Sequence, residues 1–216
     1  MPASTKNAIP VPNPARPRTH RVSRSGNRSR NGRGDPAEVE ETMEFHRSEL
    51  FRTNSGQITV VSIVGMVRYN ESARQLVANL KYHQQKSVAL DIAMVMAEVV
   101  HVMKLPDCVT WIPTTDGHRV SRGFDHAELI ARHMGALIGC PALRLLRRTS
   151  THPQTGLPRE ARLGNVSFIG SPRAQARRVW VIDDVWTTGA SFRAATTALL
   201  GSGAASVGCV AFAHVA

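Results

Sequence analysis

The chain has 216 residues, 42% of them hydrophobic and 20% charged, which is ample for one globular domain with a tail and too long for a peptide-sized module. Lysine and arginine number 27 against 16 acids, a net charge of +11, but the excess is local. Residues 1 to 34 hold eight of the cations and no acid, leaving 19 cations against all 16 acids in the remainder, a net of +3, so a body-wide nucleic-acid surface is not implied.

Residues 1 to 40 are mostly Pro, Ser, Gly, Asn and Arg. They offer no apolar face to offset the entropy of ordering, and they are predicted to form a disordered Arg-rich tail. That charge suits nucleic acid through counterion release, and a merely solvated run has the same composition. Met43 stands just past the tail as an alternative start. No run of about 7 to 15 apolar residues opens the chain as a secretory signal, and no stretch reaches the roughly 18 that a transmembrane helix needs. A cytoplasmic protein without a membrane span is the expectation. Cys108, Cys140 and Cys209 lie far apart with no CxxC pair, against a disulfide framework or a four-ligand zinc site.

From Gln57 onward β-branched runs alternate with helical periodicity. Ile58 to Val64 reads as a strand, and Ser72 to Tyr82 sets Ala73, Leu76, Val77 and Leu80 at helical spacing. A second helix is predicted over about Val88 to Met103, a short strand over Val109 to Ile112 and an amphipathic helix over Asp125 to Ile138. Leu143 to Leu146, Val166 to Ile169, Val179 to Ile182 and Val207 to Phe212 complete the strands, with Ala190 to Leu200 helical between the last two. This alternation predicts an α/β fold with a mainly parallel sheet covered on both faces. Ligands in such sheets sit beyond the carboxyl ends of strands, which directs attention to the loops after Ile112 and Ile182.

Val179 to Ser191, VWVIDDVWTTGAS, is the most informative stretch. An apolar run carries the chain through the sheet, and Asp183 and Asp184 stand where it emerges. Thr187, Thr188, Gly189, Ala190 and Ser191 then present hydroxyls and backbone N–H groups at a helix N-terminus, a ready phosphate cradle. Paired carboxylates beside a phosphate cradle suit a sugar phosphate, because the acids accept hydrogen bonds from vicinal hydroxyls.

This segment resembles the phosphoribosyl pyrophosphate (PRPP) motif of type I phosphoribosyltransferases. YNESARQLVANLKY at Tyr69 to Tyr82, IPTT at Ile112 to Thr115, RGFDHAELIAR at Arg122 to Arg132 and LLRRTSTHPQTGLPREARLGNV at Leu145 to Val166 follow in the order seen in the competence-associated ComF family. The resemblance implies a five-stranded, mostly parallel sheet flanked by helices over residues 41–216, with a small N-terminal hood over about 41–70. It implies transfer of phosphoribose from PRPP to an unidentified nitrogen acceptor, with Mg²⁺ held mainly through PRPP and with no dedicated metal ligands in the protein. Asp183 and Asp184 would take the ribose hydroxyls, Thr187 to Ser191 the 5-phosphate, and Thr114 and Thr115, aided by Arg119 and Arg122, the pyrophosphate. The stretch from Thr149 to Asn165, with Gln154, Arg159, Arg162 and Asn165, resembles the loop that closes over PRPP, and Arg162 joins Asp183, Asp184 and Lys81 as an expected catalytic group. The alternative that the same resemblance leaves open is a non-catalytic PRPP- or nucleotide-binding accessory factor in competence and DNA uptake; in either case a homodimer or a partner of the competence machinery is an expected association.

The sequence departs from the family at IPTT, where PVP with an apolar residue is usual, and at RGFDHAE, where RGFNQ is usual; the family's cysteine-rich zinc module is absent. Asp125 would repel a pyrophosphate unless it points away. Lys81 reads equally as an active-site cation or a helix-end lysine. His118 and His126 read as loop polar groups, because no histidine has metal-ligand spacing. Trp180 reads as core, and Trp186 as either a cover for the sugar or a shield for the loop.

Overall fold

In a computed structural model the described residues are 45–53, 55–82, 85–101, 103–115, 123–149 and 166–215. The Arg-rich tail and its expected nucleic-acid contacts lie outside them. Strand β1 (Phe45–Arg52) pairs antiparallel with β2 (Ile58–Arg68), from Phe45 opposite Gly65 to Arg52 opposite Ile58. Helices α1 (Glu71–Tyr82) and α2 (Val88–Ala97) follow, then β3 (Cys108–Trp111) and α3 (His126–Ile138). The short strands β4 (Leu146–Arg148) and β5 (Phe168–Gly170) form an antiparallel pair of their own. Strand β6 (Arg178–Trp186), helix α4 (Ala190–Gly201) and strand β7 (Ser206–His214) complete the chain.

The main sheet has five strands in the order β1-β2-β7-β6-β3, all parallel except β1. Its parallel strands are apolar on both faces because helices cover both. On one side Val64, Met66, Trp180, Ile182 and Phe212 pack with α1, α2 and α3. On the other Ile63, Val179, Val181 and Cys209 pack with α4 and the β4–β5 pair. Alternation along β6 carries Trp180 and Ile182 toward α1, α2 and α3, and Asp184 continues on that side, where Lys81 and His126 meet it, before Trp186 crosses to the other.

The mostly parallel, helix-flanked sheet agrees with the sequence reading, and the structure refines several element boundaries. The region expected as the hood, about 41–70, begins outside the described residues and takes in β1 and β2. Residues 45–68 are β1 and β2, and β2 joins β7 from Ser62 opposite Gly208 to Arg68 opposite His214, because an apolar run buried on both faces belongs inside a sheet. The helix from Val88 ends at Ala97 and tightens into a 3₁₀ turn over Glu98–His101. Strand β6 runs on to Trp186, so both acids lie within it rather than beyond it. The predicted strand Leu143 to Leu146 shifts to Leu146–Arg148, since Leu143 is held by its N–H donating to the Val109 carbonyl at 2.9 Å. No helix among the described residues is long and apolar enough to cross a membrane.

Candidate functional site

The end of β6 meets the end of α1 and the start of α3. The apolar face of α1, Ala73, Leu76, Val77 and Leu80, lies on the sheet, which brings Lys81 in the last turn over β6. Its Nζ pairs with Oδ2 of Asp184, whose side chain is only 5% exposed. From the other side, His126, the first residue of α3, sets Nε2 3.6 Å from Asp184 Oδ1. Asp183 is half-buried, and its Oδ1 accepts a hydrogen bond from the Asp184 N–H at 2.9 Å.

Two adjacent buried acids titrate in opposite directions because their neighbours differ. Burial works to raise the Asp184 carboxyl, but His126 and Lys81 outweigh it and hold the group below the usual carboxylate range. Burial and the Asp184 charge push Asp183 well above that range, against the opposing pull of Lys81. Burial also works to lower Lys81, and Asp184 reverses this so that its ammonium is raised. The reading of Lys81 as a solvated helix-end residue gives way to that of a counter-charge.

Beyond β6 the chain turns through exposed Thr187 and Thr188 to Gly189, at φ +76°, the N-cap of α4, where the Ala190 N–H donates to Thr188 Oγ1 in a long hydrogen bond of 3.4 Å and no acidic side chain caps the helix. The first-turn N–H groups are thus presented to an incoming anion. A Cβ on Gly189 would come within 2.6 Å of Trp186 Nε1, so glycine is required both by its φ and by what lies beneath it. Trp186 is buried, edge-on to Phe45 with ring centroids 4.2 Å apart; it supports the loop from below and does not cover a sugar. Arg193 holds the loop from outside. Its Nη1 donates to the Thr188 carbonyl at 2.8 Å, while Nε and Nη2 donate to the two oxygens of Glu49 on β1 at 2.9 and 3.0 Å.

The loop after β3 is built differently. Asp125 caps α3, its Oδ1 accepting from the N–H groups of Ala127 and Glu128, and its Oδ2 accepts from the Thr114 N–H at 3.0 Å. Asp125 thus points inward and takes an N–H that the sequence reading assigned to pyrophosphate. Arg148 on β4 donates from Nε to the Pro113 carbonyl at 3.0 Å. Burial works to lower its guanidinium, while Asp183 and Asp125 work the other way, which places a cation between the two loops.

Of the residues singled out from sequence, Asp183, Asp184 and Lys81 come together, and Thr187, Thr188, Gly189, Ala190 and Ser191 lie in continuation of the same strand. Thr114 and Thr115 end the neighbouring one. Arg119, Arg122, Gln154, Arg159, Arg162 and Asn165 lie outside the described residues. His126, Arg148 and Arg193 were missed as site residues. The departure from RGFNQ marked His126 and the Arg pair before Thr149 marked Arg148, whereas nothing in the sequence pointed from Arg193 to Glu49. One ring nitrogen of His126 and one oxygen from each of Asp183 and Asp184 lie within 4.8 Å of one another, a constellation that the histidine spacing did not reveal.

No family model matches the chain. It is homologous to the DNA utilization protein YhgH of Escherichia coli (strain K12), 26% identical over 156 residues that make up 67% of this chain and 68% of that one. Competence protein F of Haemophilus influenzae is 25% identical over 136 residues, 57% of this chain and 59% of that protein, and its name is that of the family which the motif order resembles. Among solved structures, glutamine PRPP amidotransferase from B. subtilis, complexed with ADP and GMP, is similar over 74% of this chain and 35% of its own, with 15% identity and a TM-score of 0.44.

Proposed function

We propose that the chain binds PRPP at the carboxyl end of β6 and transfers its phosphoribosyl group to a nitrogen acceptor with release of pyrophosphate. One observation supports this most directly: a buried carboxylate held low by His126 and Lys81 stands on the strand that runs straight into a helix N-terminus without an acidic cap. In this reading Asp183 and Asp184 accept hydrogen bonds from the ribose hydroxyls, and the N–H groups and hydroxyls of Thr187 to Ser191 take the 5-phosphate. The C1–O bond to the diphosphate breaks with its electron pair leaving on the diphosphate, the acceptor nitrogen supplies the pair for the new C1–N bond, and the acceptor's proton passes to solvent. The fixed negative charge of Asp184 lies where positive charge develops on the sugar. Arg148 faces the side on which the diphosphate would leave. The two carboxylates fit Mg²⁺ brought in on the substrate's oxygens, where it would neutralise the leaving group.

The names of the relatives favour a second reading, in which the same pocket binds PRPP or a nucleotide without turnover as a factor in DNA utilisation or competence. Both readings require binding. PRPP with Mg²⁺ at about 100 times its dissociation constant should stabilise the fold by about 2.7 kcal/mol, read as a raised melting temperature that Asp184→Asn abolishes. No shift in the wild-type protein overturns both readings. With a shift in hand, pyrophosphate release is measured against a panel of bases and amines. Release with any acceptor establishes transfer, and binding without release selects the second reading.

A further inference from the structure

We propose that His126, Asp183 and Asp184 form a binding site for a divalent transition-metal ion held by the protein itself, before any substrate arrives. The ion is bound by protein atoms alone, so the inference stands apart from the PRPP reading. His126 is only 8% exposed, so its ring is packed into the cluster beside the two acids and does not stand free in solvent. Its Nε2 faces Asp184 Oδ1 at 3.6 Å. That is too long for a good hydrogen bond, yet it is close to the roughly 3.4 Å between two atoms that share one tetrahedral ion at about 2.1 Å. When an ion enters, the ring can carry its proton on Nδ1 and offer the Nε2 lone pair to the ion. A cation between them is bonded by that nitrogen and by the carboxylate oxygen it faces.

Asp183 supplies the third ligand, and the full set spans 4.8 Å. Atoms bound to one ion are at most about 4.2 Å apart, so side-chain rotation of under about 1 Å closes the site. The donor set selects the ion. Two carboxylates alone suit Mg²⁺, whereas an imidazole nitrogen beside them favours Mn²⁺, Co²⁺ or Zn²⁺. Histidine stands here where the resembled family has the glutamine of RGFNQ. Lys81, already on Asp184 Oδ2, is the competing cation and must give way in part when the ion enters. This predicts a sign that a purely structural cluster would not show: removing Lys81 strengthens metal binding.

The test uses the metal-stripped full chain, titrated calorimetrically with Co²⁺ and Mg²⁺ while the visible absorption of Co²⁺ is followed. The expected result is one Co²⁺ per chain with ligand-field bands. Losing a ligand should cost at least what losing an outer-shell partner does, so His126→Gln should weaken Co²⁺ about tenfold or more while moving Mg²⁺ far less. Lys81→Met should tighten Co²⁺. Unchanged Co²⁺ affinity and bands in His126→Gln, or weakened Co²⁺ in Lys81→Met, would overturn the proposal. If His126→Gln does not melt cooperatively, Asp183→Asn takes its place and must lose the bands. PRPP is then added to the Co²⁺-loaded protein; absence of a thermal shift there overturns the PRPP reading and leaves the metal site standing.

Discussion

The loops after β6 and β3 occupy equivalent places, the carboxyl ends of neighbouring parallel strands, and use their backbone N–H groups in opposite ways. After β6, Gly189 begins α4 without an acidic side-chain cap, and the loop is fixed from outside by Arg193 and from beneath by Trp186. After β3, a carboxylate of the protein's own, Asp125, caps α3 and reaches across to the Thr114 N–H. In the first loop no acidic side chain meets the backbone N–H groups, while in the second Asp125 already does. The two loops therefore differ in the acceptor they hold: an ionisable carboxylate, Asp125, after β3 and only a neutral hydroxyl, Thr188 Oγ1, after β6.

Asp184→Asn should perturb the β6 end most. It leaves Lys81 partly buried without its partner, and a loss of about 2 to 3 kcal/mol is expected, measured by urea denaturation of the unliganded protein. A stability equal to wild type would mean that the Lys81 pair contributes nothing to the fold. Asp125→Ala addresses the β3 end. Loss of the cap and of the Thr114 tie should cost about 1 to 2 kcal/mol, yet pyrophosphate should bind more tightly, since a repelling carboxylate is gone and an N–H is released. Weaker pyrophosphate binding in this variant would break the contrast between the two loops.

Asp183→Asn should act in the reverse direction to Asp184→Asn. Because the folded pKa of Asp183 is raised above its unfolded value, the folded state holds the proton more tightly, and stability is lost as pH rises through that raised pKa. The amide cannot ionise, so the variant should match wild type in acid and melt higher at neutral pH. A melting temperature below wild type at pH 7 would contradict the burial assigned to Asp183. The smallest effect is expected for Arg193→Gln. Its pair with Glu49 is partly exposed, the Arg193 side chain by 44%, so less than about 1 kcal/mol of stability should change. Ribose 5-phosphate binding should nonetheless fall severalfold, because Thr188 loses its external hold; undiminished binding would show that Trp186 alone sets the loop.

The strand, the two acids, the turn glycine and the helix start of VWVIDDVWTTGAS are contiguous, so their order along the chain is also their order in space, and this part of the site was legible without a structure. The same holds for α1 and α3, whose apolar residues recur at helical spacing and report which face is buried. The place of residues 45–68 in the sheet was not legible, because a strand buried on both faces carries no alternation to say which neighbour it pairs with. Local sequence determined the cradle and the carboxylates within it. Tertiary structure decided what those carboxylates meet: Lys81 from the end of α1, His126 from the start of α3 and, on the far side of the loop, Glu49 reaching Arg193 from β1. Those contacts depend on which helix ends the sheet order brings over β6, and a side chain's charge and periodicity contain no information about a partner that arrives from another element.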